Sequence, residues 1–537
     1  MNPFTRFRWL LVFLLVASLG MAAFAASNDP VRVQQGLVFG VPGTNPEVRV
    51  YRGIPYAAPP VGDLRWKAPQ PPASWKGLRE AKEFGSTCPQ TAYPAGSIYQ
   101  SKPEPMSEDC LYLNIWTAAK SAKEHRPVMV WIHGGGFTRG SGSSSSYNGE
   151  ILSRKGVVLV TINYRLGVFG FLAHPELTAE SGHHASGNYA ILDQIAALQW
   201  VKKNISAFGG DPNRVTIFGE SAGSWAVNAL MASPLAKGLF HRAIGESGAS
   251  FTPMRTLAES EKTGEKLAST LGITKDVLKE LRAKSTDEVL KAGNEQVTRP
   301  AVDGYVLPQD IYTIFSQGKQ NDVPLLIGNN ADEGTTLAPQ GAMVKSAAYT
   351  DGVRQRYAGA ADQFLKTYPA GTDDEAVSSF YAAYRDQVFG WEMRTWARLQ
   401  TKTGHSPTYL YYFTHHPPGP LGQKVRAFHA LDIAYVFGTF VWQFPWEEAD
   451  HKLSDTISSY WVNFAKTGNP NGQGLPQWPA YDSKGDQELE FGDQVAVRSA
   501  VNKAGLDFFD SYYQSQRNPQ QPQNAAVGNG ATNSKER

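Results

Sequence analysis

A serine between two glycines, Ser221 in the pentapeptide GESAG, is the residue of this chain best placed to act as a nucleophile. The apolar run RVTIF comes directly before it, and the helix-forming segment WAVNALMA follows it. The pentapeptide alone is weak evidence, because a chain with 51 glycines among 537 residues contains one by chance in roughly a third of cases. A sharp turn from a strand into a helix, however, is the context in which Gly-x-Ser-x-Gly presents a reactive hydroxyl. The sequence therefore predicts a nucleophilic serine at such a turn.

A serine hydroxyl attacks a carbonyl carbon only if a base takes its proton and hydrogen-bond donors hold the oxyanion. Three consecutive glycines, Gly134, Gly135 and Gly136, end the strand-like run PVMVWIHGGG upstream of the serine. Because glycines expose consecutive backbone amides, these residues together with the amide of Ala222 are candidates for an oxyanion hole. A flexible glycine turn is the alternative, and the apolar run before the glycines disfavours it.

Histidines and acids that could complete the catalytic group lie further along the chain. Where a serine occupies such a turn, the acid and then the histidine follow it in sequence. The acid would come after the apolar run VPLLIGNN, where Asp332 and Glu333 are adjacent and sequence physics alone does not choose between them. The neighbouring pair His415-His416 suggests a metal site, but two neighbouring side chains need further ligands, so a solvated loop is the better interpretation. The histidines after residue 330 are His405, His415, His416, His429 and His451.

The elements that would position these residues alternate between strands and helices. Strand-like runs lie at residues 127–136, 155–167 and 214–218. Residues 188–205 carry apolar side chains at helical spacing: Leu192, Ile195, Leu198 and Val201. This alternation predicts an α/β fold with a mostly parallel central sheet and helices on both faces. Because no linker interrupts the sequence, we expect a single domain over residues 26–513 with large helical insertions.

The two ends of the chain differ from this core. Residues 1–25 combine Arg6 and Arg8, an uncharged apolar run and the small-residue cleavage site AFA. These features predict a signal peptide and export to the periplasm or the outside of the cell. Residues 514–537 are rich in Gln, Asn, Pro and Gly and are predicted to form a disordered polar tail.

Charge and motif content exclude several classes of function. The chain has 51 basic and 49 acidic residues, and loss of Arg6 and Arg8 with the signal peptide leaves 49 of each. A balanced charge without a basic block argues against nucleic acid or an anionic membrane surface as a partner. No long apolar segment follows the signal peptide, so no stable membrane association is expected. Phosphate-binding loops, paired-cysteine metal sites and dinucleotide fingerprints do not occur, so neither a cofactor nor a metal is expected.

The two cysteines of the chain, Cys88 and Cys110, lie close together in sequence. In an oxidising compartment they predict one disulfide, which would stabilise the fold by about 3 kcal/mol. Two buried free thiols are the alternative.

Several stretches together carry a resemblance to a known family. They run in family order as far as Gly438 and cover most of the chain after the signal peptide: YRGIPYAAPPVGDLRW, EDCLYLNIW, WIHGGGF, NYRLGVFGF, FGGDPNRVTIFGESAG, NNADEG and AFHALDIAYVFG. The sequence resembles type-B carboxylesterases, the cholinesterase-like branch of the α/β-hydrolases, and among them the exported bacterial members. The resemblance implies an α/β-hydrolase fold. It also implies cleavage of small-molecule carboxylic esters through an acyl-enzyme intermediate, without a cofactor.

The resemblance also implies roles for individual residues. The segment AFHALD implies that His429 is the general base, and the segment NNADEG implies Glu333 rather than Asp332 as the acid. Glu220, beside the nucleophile, is expected to face the pocket floor, and Ser247 to lie near the catalytic group. The implied oxyanion donors are the amides of Gly135, Gly136 and Ala222. The implied structural ion pairs are Arg65 with Glu108 and Arg165 with Asp193.

The same resemblance bears on the substrate. In cholinesterases a tryptophan in the disulfide-closed loop stacks on quaternary ammonium, but residues 88–110 contain Tyr93 and Tyr99 and no tryptophan. The segment GNEQVTRPA, before Val302, corresponds to the acyl-pocket loop of the family and contains no aromatic residue. We therefore expect a general esterase that accepts bulky or aromatic acyl groups without preferring choline esters. Amide or thioester hydrolysis by the same residues and a non-catalytic binding module are the alternatives.

Overall fold

The structure is a computed structural model that describes residues 30–517, except residues 101, 103 and 294–298. The predicted signal peptide, residues 1–25, therefore lies outside the described residues. The strands are β1 (Val31–Val33), β2 (Gly36–Phe39), β3 (Val41–Pro42), β4 (Arg49–Pro55), β5 (Leu78–Glu80), β6 (Tyr112–Thr117), β7 (Arg126–Ile132), β8 (Val158–Ile162), β9 (Gly210–Glu220), β10 (Arg242–Glu246), β11 (Leu325–Asn330), β12 (Thr408–Phe413), β13 (Gln487–Phe491) and β14 (Val495–Ser499).

The central sheet has 11 strands in the spatial order β14-β13-β12-β11-β10-β9-β7-β8-β6-β4-β3. The strands from β13 to β8 in this order pair in parallel, while β14 at one edge and β6, β4 and β3 at the other pair antiparallel. A small separate sheet contains β1, β2 and β5. The predicted α/β-hydrolase fold with its mostly parallel sheet is confirmed.

Helices occupy most of the connections between strands. They are α1 (Glu150–Arg154), α2 (Gly167–Phe171), α3 (Pro175–Glu180), α4 (Tyr189–Asn204), α5 (Ala222–Ala232), α6 (Leu257–Thr270), α7 (Val277–Ala283), α8 (Thr286–Gly293), α9 (Ile311–Ser316), α10 (Gly334–Leu337), α11 (Ser346–Tyr357), α12 (Ala361–Thr367), α13 (Asp373–Arg385), α14 (Trp391–Thr403), α15 (Gly419–Val425), α16 (Asp432–Phe437), α17 (Glu448–Thr467) and α18 (Lys503–Arg517). A π-helical turn, Asp386–Gly390, joins α13 to α14. Within the described residues, no helix has both the length and the apolar character that a membrane span requires.

Helices cover both faces of the sheet because alternate residues of its strands point to opposite sides. In β7, Val130 belongs to one buried apolar cluster and its neighbour Trp131 belongs to the other. The first cluster includes Leu198 of α4 and Leu230 of α5, and the second includes Trp461 of α17. Strands buried on both faces are continuous apolar runs, which explains why VMVWI is a recognisable strand in the sequence.

The ends of parallel strands bring distant segments to one edge of the sheet. Ser221 directly follows β9, Ser247 directly follows β10, and Glu333 comes three residues after β11. The glycines 134–136 lie just beyond β7, in the same edge of the sheet. In open parallel sheets ligands bind outside the carboxyl ends of the strands, so this edge is the place to look for a site.

The predicted covalent and ionic links are confirmed. Cys88 and Cys110 form a disulfide, and both residues are buried. A second link joins Arg65 to Glu108 through two contacts of 2.8 and 2.5 Å, just ahead of Cys110 in sequence. The third, between Arg165 and Asp193, is formed by contacts of 2.8 and 2.7 Å.

The predicted start of the disordered tail at residue 514 is wrong, because α18 extends to Arg517. Aromatic contacts hold this last turn: the Arg517 guanidinium lies 3.7 Å from the centre of the Tyr312 ring, and Tyr513 packs on Trp391 with ring centres 4.3 Å apart. Residues 518–537 lie outside the described residues, so disorder there and the single domain over residues 26–513 stay predictions.

Replacing both Cys88 and Cys110 by serine should lower the free energy of unfolding by about 3 kcal/mol, because the open loop gains entropy in the unfolded chain. Calorimetry would measure the effect as a lower melting temperature. For the thiol titration, reduced and denatured wild-type protein is the standard. Titration of denatured, unreduced wild-type protein should find no free thiol. Two titratable thiols would contradict the disulfide.

Candidate active site

The strand β9 ends in a sharp turn that holds Ser221 in a left-handed backbone conformation, with φ 57° and ψ −122°. Such angles are unfavourable for a residue with a side chain, so the surroundings must hold them. The Ser221 amide donates to the carbonyl of Glu246 at 2.8 Å, and the Trp225 amide donates to the carbonyl of Ser221 at 3.0 Å. The turn leaves the serine half-buried, and its hydroxyl forms no hydrogen bond within the described part of the chain.

The two glycines of GESAG are needed because the backbone packs against itself here. A Cβ atom at Gly219 would lie 2.5 Å from the carbonyl oxygen of Ile132, and one at Gly223 would lie 2.0 Å from the same atom. Neither distance is possible for a real Cβ, so no other residue fits without moving β9 away from β7. The motif therefore encodes a close contact between two central strands.

Glu333 is completely buried and accepts three hydrogen bonds. Its Oε2 lies 2.6 Å from His429 Nδ1, while its Oε1 accepts from the Ser247 hydroxyl at 2.6 Å and from the Asn330 amide at 2.8 Å. Asp332, the alternative acid, points elsewhere and lies 3.6 Å from Arg426. The structure thus brings Glu333 to His429 and Ser247 to Glu333, whereas Asp332 contacts Arg426 and His416 instead.

Glu220 contacts the other nitrogen of the same imidazole, with its Oε1 3.0 Å from His429 Nε2. Burial by itself lowers the pKa of His429, but the carboxylates of Glu220 and Glu333 outweigh burial and raise that pKa to about 9. Burial raises the pKa of Glu220 to about 8, although the charge of His429 opposes the rise. Phe389 covers the imidazole, with ring centres 4.9 Å apart. The imidazolium form is therefore stabilised from two sides.

The glycine loop after β7 and the start of α5 present backbone amides near Ser221. Gly135 and Gly136 have φ values of 102° and 65°, and their amides donate to no acceptor in the part of the chain that the structure describes. Ala222 is the first residue of α5, so its amide has no acceptor inside the helix. A Cβ at Gly134 would lie 3.1 Å from Ser221 Cβ, which shows how closely this loop approaches the serine.

Tyr99 is a partner of the site that the sequence indicated only as a possible pocket wall. Its hydroxyl donates to the backbone carbonyl of His429 at 3.0 Å and lies 2.5 Å from the Thr336 hydroxyl. The tyrosine belongs to the disulfide-closed loop, so this contact connects that loop to the histidine segment. Sequence patterns offered no signal for the pairing, because Tyr99 and His429 are far apart in the chain.

A second network behind His429 was also absent from the sequence analysis. The Asn330 side-chain amide donates to the carbonyl of Phe428 at 2.8 Å and to Asp432 at 3.2 Å, and the Tyr411 hydroxyl donates to Asp432 at 2.7 Å. These buried groups fix the backbone on both sides of the histidine. The position of Asn330, two residues before Asp332, is a signal that could have suggested a supporting role.

The other candidate histidines lie away from this group. His416 is half exposed, as a solvated loop predicts, but that prediction is wrong for His415, which is 13% exposed. The His415 ring nitrogens lie 3.0 Å from the buried Asp450 and 3.2 Å from the exposed Asp493, so both nitrogens have a polar partner. Among the described residues, no group of three or more histidine, cysteine or acidic side chains is arranged to hold a metal ion.

Comparison with known proteins agrees with this geometry. The profile of the carboxylesterase family matches residues 27–509. A fumonisin B1 esterase from Sphingopyxis macrogoltabida is 38% identical over 496 residues, covering 88% of this chain and 88% of the relative. A para-nitrobenzyl esterase from Bacillus subtilis (strain 168) is 38% identical over 492 residues, covering 88% and 96%. A solved PNB esterase structure superimposes with a TM-score of 0.76 at 34% identity, covering 89% of this chain and all of that one. The chain belongs to the carboxylesterase family.

Proposed function

We propose that this protein is a serine hydrolase that cleaves carboxylic esters, with Ser221 as nucleophile, His429 as general base and Glu333 as the acid that orients the base. The observation that carries the proposal is the 2.6 Å contact between His429 Nδ1 and the buried Glu333, next to an accessible serine in a strained turn. Family membership and the esterase relatives support the class of reaction. A binding module would have no need of this arrangement.

The reaction uses each of these groups in turn. Because Nδ1 donates to Glu333, Nε2 of the neutral imidazole accepts the hydroxyl proton as the Ser221 oxygen attacks the ester carbonyl. The oxyanion then accepts hydrogen bonds from the amides of Gly135, Gly136 and Ala222. His429 gives the proton to the departing alcohol and then takes one from the water that attacks the acyl-serine. It returns this proton to the Ser221 oxygen as the carboxylic acid leaves.

We also propose that the site accepts neutral esters with bulky or aromatic acyl groups and has no preference for choline esters. The Tyr93 ring already has the Arg139 guanidinium 4.8 Å from its centre, so a protein cation occupies the aromatic face that a choline group would use. The Tyr99 hydroxyl is committed to the His429 carbonyl. On the acyl side, residues 294–298, in the segment that corresponds to the acyl-pocket loop of the family, lie outside the described residues.

We further propose that the protein is exported to the periplasm or beyond. Residues 1–25 support this proposal by their signal-peptide pattern. The disulfide between Cys88 and Cys110 supports it independently, because disulfides persist mainly in oxidising compartments.

The substitutions Ser221→Ala, His429→Ala and Glu333→Gln should each lower kcat by about a thousandfold or more with little change in melting temperature. Steady-state kinetics on a para-nitrophenyl ester would measure the loss, and double variants should lose little more than single ones because the groups act as a unit. Asp332→Asn is the matched control and should keep near-normal kcat. The assignment of the acid is wrong if Asp332→Asn loses activity and Glu333→Gln retains it.

The substitution Glu220→Gln should shift the rising limb of the pH profile of kcat/KM to lower pH by about one to three units. The general base works as a neutral imidazole, so activity rises with pH through the pKa of His429. Because the Glu220 carboxylate raises that pKa, its removal lowers the pKa and frees the base at lower pH. Glu220→Asp keeps the charge and should shift the limb less. A limb that stays in place or moves upward in Glu220→Gln would contradict this electrostatic role.

Choline butyrate and its uncharged isostere 3,3-dimethylbutyl butyrate should be hydrolysed with kcat/KM values within about tenfold of each other. The reason is that the tyrosines of the disulfide loop are engaged by protein groups. Measurement at two ionic strengths separates long-range attraction from a binding site for the cation. A preference for the choline ester of about a hundredfold would show that the site holds a quaternary ammonium group after all.

A further inference from the structure

Arg299 is an exposed arginine whose guanidinium covers the side chain of Trp225, with Cζ 4.8 Å from the ring centre. It forms no ion pair with a carboxylate in the part of the chain that the structure describes. Burial and the nearby charge of Arg255 lower the pKa of this arginine, and Tyr384 and Glu392 oppose that fall only in part. The Glu392 carboxylate accepts the Phe251 amide at 2.6 Å. A guanidinium held against an aromatic ring without a counter-ion can bind a carboxylate from a ligand.

Trp225 connects this charge to the nucleophile. The Trp225 amide donates to the Ser221 carbonyl, and a Cβ at Gly248 would lie 2.3 Å from that carbonyl oxygen and 2.8 Å from Trp225 Cδ1. On its other side the tryptophan ring lies 6.2 Å from the ring of Phe137, which directly follows the glycine loop. The indole therefore packs beside the serine turn and near the residue that follows the glycine loop, with Arg299 on its face.

Tyr384 connects the same charge to the acid and the histidine. Burial raises the pKa of the Tyr384 phenol, Glu333 raises it further and Arg299 opposes the rise, so the phenol is within the field of both charges. The Tyr384 ring lies 6.3 Å from Phe389, which covers His429. Through Trp225, whose amide donates to the Ser221 carbonyl, Arg299 therefore lies near the serine turn and not on a remote surface.

The two halves of an ester must lie on different sides of this cleft. The alcohol oxygen has to be next to His429 Nε2 to be protonated, and that nitrogen lies 3.0 Å from Glu220 Oε1. The Tyr99 hydroxyl donates to the His429 carbonyl, and the Tyr93 ring packs against Tyr99 with ring centres 5.8 Å apart, so both tyrosines lie on the histidine side, where the alcohol leaves. Arg299, on Trp225, is left to face the acyl half.

We propose that Arg299 makes the acyl pocket selective for acyl groups that end in a carboxylate, so that monoesters of dicarboxylic acids are preferred substrates. This inference rests on the proposed ester hydrolysis at Ser221 and adds the chemical class of the acyl group. The guanidinium donates to the distal carboxylate of the substrate, while the ester carbonyl at the other end reaches Ser221. Neutral bulky acyl groups still enter, since an exposed arginine side chain can move aside.

The test compares monoethyl esters of succinic, glutaric, adipic and suberic acid, each beside the neutral substrate in which the free carboxylate is a primary amide. Acid release by the full chain is followed in a pH-stat at constant ionic strength. For at least one chain length, the wild-type kcat/KM for the acid should exceed that for the amide by about tenfold or more. Arg299→Gln should abolish this preference by lowering kcat/KM for the acid about 10- to 100-fold and leaving the amide within about threefold. Arg299→Lys should retain part of it.

The control is Arg356→Gln, which removes another exposed arginine stacked on an aromatic ring, Tyr357, away from the serine. This variant should keep the wild-type preference. If wild-type protein hydrolyses the amide-bearing esters but prefers none of the acids, or if Arg299→Gln changes acid and amide alike, the inference about Arg299 is overturned and ester hydrolysis stands. If no ester is hydrolysed faster by wild-type protein than by Ser221→Ala, both proposals fall together.

Discussion

The turn at Ser221 depends on direct contact between backbone segments, with no side chain between them. A Cβ at Gly223 would lie 2.0 Å from the carbonyl oxygen of Ile132, and a Cβ at Gly134 would lie 2.6 Å from the carbonyl oxygen of Glu220. The contact of Gly223 with Ile132 packs the turn against the end of β7. The contact of Gly134 with Glu220 packs the loop after β7 against the turn. Nucleophile and oxyanion donors are therefore positioned by these two backbone contacts, and a side chain at either glycine would disturb the contact that it makes.

The carboxylates around His429 differ in their hydrogen-bond partners and counter-charges. Glu333 accepts hydrogen bonds from Ser247 and Asn330 in addition to the histidine, so its orientation is fixed on every side. Glu220 Oε1 has no hydrogen-bond partner among the described residues, and the nearby imidazole nitrogen is its counter-charge. Asp432 is held by Tyr411 and Asn330, while burial raises its pKa to about 6. One acid thus orients the base, and the others set the electrostatic field in which it titrates.

The parts that could be predicted from sequence are those encoded by neighbouring residues. Strand β7 is apolar throughout after its first residue, Arg126, and the glycines around Ser221 are required because no larger residue fits at those positions. Choosing Glu333 over Asp332 needed the family resemblance. The two acids are neighbours in a loop, and sequence alone does not tell which of their side chains points toward the histidine. The contacts of Tyr99 with the His429 carbonyl and of Glu220 with its imidazole depend on distances between remote segments. The start of the tail was similarly predicted from composition, which contains no information on the contact between Arg517 and Tyr312.

Charge is distributed unevenly across the two sides of Ser221. Buried carboxylates, Glu220 and Glu333, lie on the histidine side, whereas the guanidinium of Arg299 lies on the Trp225 side. An ester with a neutral alcohol and an anionic acyl end would be attracted in one orientation and repelled in the other. Repulsion of the wrong orientation contributes to selectivity as directly as attraction in the right one. The favoured orientation also brings the alcohol oxygen to His429 Nε2. The electric field that orients the substrate therefore places the leaving alcohol beside the imidazolium proton that the alcohol takes up.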